Sequence, residues 1–165
     1  MSSLIAIYLN DHLAGAVAGT ELVKRTLGQN RGTEYEPELE RLAADIEQDR
    51  QRLEEIMQAL GVRQAAWKTT AAWVAEKLGR VKLNGALVAY SPLSRLEELE
   101  LLTLGVQGKL QLWHSLTRWV GGEAQLDVGP LDLDELIRRA SSQRRRLERH
   151  RANAAGAMLQ DRRST

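Results

Sequence analysis

The feature that most constrains the fold is the spacing of apolar residues, which recur three and four positions apart through four long segments of the chain. This spacing brings the side chains onto one face of an α-helix, whereas a strand with one buried face would alternate apolar and polar residues. We therefore predict an all-α protein. The predicted long helices span residues 4–27, 37–60, 94–120 and 132–158, and a shorter helix spans 64–81.

Local signals mark the ends of these helices. Pro37 suits the first turn of a helix, and Gly61 follows the same segment as a helix stop. Ser94 and Glu97 have the spacing of a capping box at the start of the next long helix. Asp132 and Glu135 have a similar spacing at the start of the last one. The sequence thus indicates where four long helices begin or end.

The lengths of the connections predict how the helices are arranged. The joins between the first two long helices and between the last two are about ten residues long, whereas about 33 residues lie between these pairs. Short joins favour antiparallel neighbours, and one long join lets the chain cross over a bundle. We predict a single four-helix-bundle domain over residues 1–160, with the short helix inside the crossover and a frayed polar tail over 161–165.

One position in the second helix breaks the apolar pattern. Between Ile46 and Leu53 the spacing requires an apolar residue, and the chain has Asp49. A buried carboxylate needs a cation, hydrogen-bond donors or a proton, because its desolvation is costly. We predict that Asp49 pairs with an arginine of the last helix; the alternatives are a solvated edge position and a metal ligand. The candidate arginines are Arg144, Arg146 and Arg151 of the last helix, and Arg50 beside Asp49.

The last helix also carries polar residues on its apolar face. Gln143 and Arg144 share one position of that face at mid-length, and His150 and Arg151 share another. With Asp49, these residues are the predicted buried polar positions of the bundle.

Two stretches, YLNDHLAGAVAGTELVKR and LEELELLTLGVQGKLQLW, resemble small bacterial proteins of unassigned function in the ferritin-like superfamily. The four long helices, the single crossover and the polar residues at mid-length resemble that superfamily as well. The resemblance covers most of the chain and implies a ferritin-like four-helix bundle. Active members of the superfamily bind two metal ions through Glu on two helices and Glu-x-x-His on the other two.

This metal-binding pattern is missing from the chain, because none of the three histidines has Glu three positions before it. The resemblance therefore implies a member whose di-metal site is degenerate, and we expect no cofactor. The first alternative is a divergent metal-dependent oxidoreductase with a nonstandard site, whose ligands would be His12, Asp49, Glu98 and His150. His12 by itself is interpreted as a hydrogen-bonded residue at the border of an apolar face.

The segment 138–151 is the most basic part of the chain and holds seven arginines. One interpretation is a helix that binds nucleic acid through its phosphates. The other is a solvated helix face whose arginines pair with the acidic second helix. The net charge of +1 favours internal pairing, so a nucleic-acid binder is kept as the second alternative.

A second apolar stripe lies away from the main apolar face of the helix over 94–120. Such a stripe is buried by another element or by another chain. Here it is either covered by Trp67 or Trp73 of the short helix or exposed as a homodimer surface. The stripe consists of Leu101, Leu112, Leu116 and Trp119.

Composition limits the class of protein. The chain has no Cys, which excludes disulfides and thiolate metal sites. No apolar run approaches the roughly 18 residues of a membrane span, so we predict a cytoplasmic protein without membrane contact. The predicted function is that of a non-catalytic ferritin-like bundle, which acts by self-association as a homodimer or by binding a protein partner.

Overall fold

The computed structural model describes residues 3–64, 90–122 and 127–161. Within these ranges the chain forms four α-helices and no strand, which confirms the all-α prediction. The predicted short helix over 64–81, with Trp67 and Trp73, lies almost entirely outside the described residues, as does the tail after residue 161. The helices are α1 (Ser3–Gln29), α2 (Glu36–Ala59), α3 (Pro92–Gly121) and α4 (Leu133–Asp161).

The starts of α3 and α4 are fixed by side-chain caps. Asp132 Oδ1 accepts a hydrogen bond from the Glu135 N–H at 2.9 Å, as the sequence predicts for α4. In α3 the cap is Ser91, whose Oγ accepts from the Ser94 N–H at 3.1 Å, so the predicted cap at Ser94 is wrong by one turn. Pro92 explains the earlier start, because proline has no N–H to satisfy and its fixed φ suits a first helical turn.

Side-chain contacts give the directions of the helices. Tyr8, near the start of α1, hydrogen-bonds Ser115, near the end of α3, at 3.4 Å between the two hydroxyl oxygens. At the other end of α1, Arg25 forms an ion pair with Glu98, near the start of α3, at 2.9 Å. These two helices are therefore antiparallel. The same holds for α1 with α2, α2 with α4, and α3 with α4, so the helices run up, down, down and up.

The up, down, down, up order requires one crossover between α2 and α3, as predicted from the connection lengths. The pairwise contacts support four-helix packing, in which each helix contacts two neighbours. Membership of the ferritin-like superfamily stays a prediction. None of the four described helices combines the length and the apolar content that crossing a membrane would need.

The buried core is divided at mid-length. One apolar cluster includes Leu13, Leu53 and Leu110, and the other includes Leu22 and Leu147. Polar side chains of three helices lie between the two clusters: Asp49 of α2, Lys109 of α3, and Gln143 with Arg139 of α4. We call these four residues the polar layer.

Candidate functional site: a cavity beside the polar layer

A cavity of about 450 Å³ lies between α1, α2 and α3, next to the polar layer. Its walls are mostly apolar, with Leu22 of α1, Leu53 of α2 and Leu102 of α3 among them. Asp49 and Lys109 of the polar layer also line the cavity. Asp11 of α1 and Arg50 of α2 line it as well, so the site is an apolar space with charged groups from three helices in its wall.

Glycines on the two facing helices keep this space open. Gly15 and Gly19 of α1 and Gly105 and Gly108 of α3 all line the cavity. A Cβ atom added to any of them would meet no other atom within 4 Å outside its local helix backbone. α1 and α3 contact each other through Tyr8 at one end and Arg25 at the other, and the glycines leave a gap between these contacts.

Asp49 holds the polar layer together. Its side chain is 1% exposed, and its Oδ2 accepts from Lys109 Nζ at 2.5 Å and from Gln143 Nε2 at 2.9 Å. Its Oδ1 lies 3.1 Å from an Arg139 guanidinium nitrogen, without the geometry of a hydrogen bond. Lys109 Nζ also donates to Gln143 Oε1 at 2.6 Å. The carboxylate is thus buried with cations from two helices, so it does not lie at a solvated edge.

The pairing predicted for Asp49 is correct in kind and wrong in its partner. An arginine of the last helix does contact Asp49, but it is Arg139. Of the predicted candidates, Arg146 pairs with Glu38 and Asp45, at 2.7 Å and 2.6 Å, and Arg50 pairs with Glu47 and Glu54. Arg139 lies four positions before Gln143, which places both on one face of α4 and explains why they reach the same carboxylate.

Lys109 was missed by the sequence reasoning, although its spacing could have revealed it. Leu102, Val106, Lys109 and Trp113 are separated by four, three and four positions, so Lys109 lies on the main apolar face of α3. The next residue, Leu110, is apolar and buried, so the apolar pattern of α3 shows no obvious interruption at Lys109. Burial lowers the pKa of the Lys109 amine, and the charge of Asp49 opposes this shift.

One of the predicted buried polar positions, Arg144, is wrong, and Arg151 is only partly buried. Arg144 is exposed and donates to Gln107 at 3.1 Å. The Arg151 side chain is 30% exposed and pairs with Glu148 at 2.7 Å. Arg144 lies one position past the buried Gln143, and one position is about 100° of helix rotation. Gln143, in contrast, is 1% exposed, as predicted.

His150 lies apart from the polar layer, about two helical turns beyond Gln143 on α4. Its ring packs edge-on against Tyr35, with 5.8 Å between the ring centroids. Its Nδ1 is buried and has no hydrogen-bond partner among the described residues. His150 is thus partly buried, as predicted, but it takes no part in the layer around Asp49.

The nonstandard metal site is not assembled. In the described ranges no three His, Cys, Asp or Glu side chains form a group that could hold a metal ion. His12 lines the cavity and packs edge-on against Tyr8 at 4.5 Å between ring centroids. Burial lowers the pKa of His12, and Asp11 offsets part of this shift. Glu98 lies instead in a polar cluster near the start of α3, so the predicted ligands His12, Asp49, Glu98 and His150 do not converge.

The cluster around Glu98 is a network of satisfied hydrogen bonds. Arg25 donates to one Glu98 oxygen at 3.0 Å and the Tyr90 hydroxyl to the other at 3.0 Å. Asn30 donates to Tyr90 at 2.7 Å and accepts from Arg95 at 2.6 Å. Burial raises the pKa of Tyr90 to about 12. This network joins the end of α1 to the start of α3, and we interpret it as structural.

Exposure as a homodimer surface, one of the two interpretations of the apolar stripe on α3, is wrong for two of its residues. Leu112 is 1% exposed and Leu116 is fully buried within the chain. Trp119 is half-buried and packs edge-on against Tyr8, at 5.4 Å between ring centroids, and Leu101 lines the cavity. α3 packs against α1 on one side and α4 on the other, so it needs two apolar faces. The stripe is the face that meets α1, as the contact between Trp119 and Tyr8 shows.

The Arg-rich segment is largely neutralised by its neighbours. Five of its arginines form ion pairs or hydrogen bonds with other side chains: Arg138, Arg139, Arg144, Arg146 and Arg151. Their partners include residues of the acidic α2, as the internal-pairing interpretation expects. Paired arginines offer less charge to a phosphate backbone, so the geometry does not favour nucleic-acid binding.

Comparisons with protein-family models, with curated proteins and with solved structures found no match for this chain. The function must therefore be inferred from the geometry of the cavity and the polar layer, because a helical fold alone does not imply a function.

Proposed function

We propose that the protein is a non-catalytic helical bundle that holds a small, mainly apolar molecule in the cavity between α1, α2 and α3. The observation that carries this proposal is the cavity of about 450 Å³. Small-molecule sites in proteins typically measure about 300–1,000 Å³ and are lined by apolar side chains with a few polar groups. Both the size and the lining of this cavity fit that description.

The glycines support a cavity that serves binding. In a helix interior, glycine is less favourable than alanine by about 1 kcal/mol, so the four glycines cost the helices about 4 kcal/mol. Alanine would fit at each position without a clash. A bundle that only needed to pack its core would gain stability from larger side chains here.

The polar layer supports binding more than catalysis. Asp49, Lys109 and Gln143 bond to one another, which fixes the wall of the cavity. Burial lowers the pKa of the Lys109 amine, whereas the ion pair with Asp49 favours its protonated form, which has no lone pair with which to attack a substrate. These groups therefore suit a rigid binding surface.

The layer also fits the proposed relation to ferritin-like bundles. The single crossover and the polar residues at mid-length agree with that architecture. In this proposal the Lys109 ammonium supplies the positive charge that bound metal ions supply in active members. Self-association and binding of a protein partner stay predictions, and the buried residues Leu112 and Leu116 do not provide the surface for either.

A fluorescence titration tests the proposal. The probe is N-phenyl-1-naphthylamine, an uncharged apolar dye that becomes bright when it leaves water. We expect saturable binding of one dye per chain to the wild-type protein. Gly19→Leu and Gly108→Leu should abolish it, because each side chain would extend into the cavity. Gly156→Leu is the matched control, since Gly156 lies on α4 away from the cavity and also has open space around it.

Circular dichroism of each variant confirms that the helices remain. No saturable binding to the wild type would overturn the proposal. Equal binding by the wild type and all three variants would also overturn it, because the dye would then bind elsewhere.

A further inference from the structure

The charged and titratable side chains in the wall of the cavity differ in whether they already have partners. They are Asp11, His12, Asp49, Arg50 and Lys109. Lys109 pairs with Asp49 at 2.5 Å, and Arg50 pairs with two carboxylates of α2. The side chains of Asp11 and His12 form no ion pair or hydrogen bond with the part of the chain that the structure describes. Asp11 is therefore the unpaired charge of the wall within that part, and the hydrogen bond predicted for His12 is not formed there.

The cations of the wall leave no positive charge free for an anion. Lys109 shares the Asp49 carboxylate with Arg139 of α4. Arg50 contacts two carboxylates at once, so one cation there faces two anions. When Asp11 is added, negative charges outnumber positive ones among these groups. The electrostatic balance of the wall therefore favours a cation.

Asp11 and His12 lie at one end of the cavity, where it opens to water. Along α1 the wall extends from Tyr8 to Leu22, and its part after His12 has no polar side chain: Gly15, Ala16, Gly19 and Leu22. Asp11 and Gly15 are exposed, whereas Leu22 is buried. The wall formed by α1 thus has a polar end in contact with water and an apolar end inside the bundle.

The polar end suits a positively charged group. A cation there pairs with the Asp11 carboxylate and keeps part of its hydration, so it avoids the cost of burying a charge. Burial lowers the pKa of His12, so near pH 7 its ring is mainly neutral and does not repel a cation. The charge of Asp11 opposes this shift, so its field acts on the cavity wall.

We infer that the molecule held in the cavity is a mainly apolar amine, whose ammonium group lies at the opening against Asp11. Its N–H groups donate to the carboxylate oxygens, which can only accept. Its apolar part extends past Gly15 and Gly19 towards Leu22. This inference rests on the proposed binding function and specifies the chemical class of the ligand.

Competition against N-phenyl-1-naphthylamine tests the inference with three molecules of similar size: 2-naphthylmethylamine, 2-ethylnaphthalene and 2-naphthoate. The amine is protonated near neutral pH, the ethyl compound has the same shape without a charge, and the carboxylate is negative. We expect the wild-type protein to bind the amine about fivefold more tightly than the ethyl compound, the effect of one solvent-exposed ion pair. We expect 2-naphthoate to bind more weakly than either, because the cations of the wall are already paired.

Salt distinguishes the ion pair from apolar contacts. Raising NaCl from about 20 mM to about 500 mM screens exposed charges, so the preference for the amine should shrink. The affinity for 2-ethylnaphthalene should not weaken, because apolar burial involves no charge to screen.

Two variants locate the ammonium group. Asp11→Asn keeps the size of the side chain and removes its charge, so the preference for the amine should fall about fivefold, to that of an uncharged wall. Asp11 is exposed, so this variant is expected to fold. Glu21→Gln is the matched control, because Glu21 is an exposed carboxylate of α1 that pairs with Lys24 and does not line the cavity. Its preference should equal that of the wild type.

The inference and the proposed function fail in different ways. Equal affinity of the wild type for the amine and the ethyl compound, or tightest binding of 2-naphthoate, would overturn the inference and leave the proposed function standing. An unchanged preference in Asp11→Asn would do the same. Failure of the dye and of all three molecules to bind would overturn both.

Discussion

Removal of the Asp49 carboxylate is the sharpest test of the polar layer. Asp49→Ala would leave Lys109 and Arg139 without their shared acceptor in the middle of the bundle. Breaking a buried ion pair by removing one partner typically costs about 3–5 kcal/mol. The Lys109 and Arg139 side chains are 16% and 22% exposed, so each can recover some contact with water. We therefore expect a loss near the lower end, about 3 kcal/mol of unfolding free energy.

A loss of this size is easily measured. For a chain of this length each kcal/mol lowers Tm by about 2–4 °C, so Asp49→Ala should lower Tm by about 6–12 °C. Urea unfolding followed by circular dichroism gives the free energy itself. Glu21→Ala is the control, because Glu21 is an exposed residue of α1 paired with Lys24 and should change stability by less than about 0.5 kcal/mol.

A double-mutant cycle separates the ion pair from other effects of the substitutions. Asp49→Leu and Lys109→Met should each destabilise the protein, whereas the double variant removes both charges and should be more stable than the sum of the single effects predicts. We expect a coupling of about 2 kcal/mol or more. Arg139 can turn towards Gln48, to which it already donates at 2.6 Å. Additive effects, or an Asp49→Ala variant as stable as the wild type, would refute the buried ion pair.

Two further predictions address other parts of the structure. Leu112→Ala should destabilise the protein by about 3 kcal/mol without changing its sedimentation, because Leu112 is buried within the chain; loss of a dimer with unchanged monomer stability would contradict this burial. For Tyr90, burial raises the pKa from 10.0 to about 12, so between these values the unfolded chain releases a proton that the folded protein retains. The unfolding free energy should therefore fall as pH rises from about 10 to about 12, with a smaller decrease in Tyr90→Phe; equal decreases would show that Tyr90 does not cause the effect.

The sequence alone determined the helices and the existence of a polar position in the core. Apolar spacing, Pro37 and the Asp132 cap act within a few residues, and each long helix was predicted to within three residues at its ends. Asp49 was recognised because it interrupts a regular spacing, and its need for a cation follows from desolvation alone. Both conclusions depend on local chemistry that is complete in one helix.

Tertiary structure alone decided which cation Asp49 meets and where the cavity lies. The choice among Arg139, Arg144 and Arg146 depends on the rotation of α4 about its axis, and one residue changes that rotation by about 100°. The cavity depends on how far α1 and α3 lie apart, which no spacing within either helix records. Gly15 and Gly108 open a space only because the two helices bring them to the same gap. The periodicity of a helix defines its buried face, whereas the partners of that face are set by packing between helices.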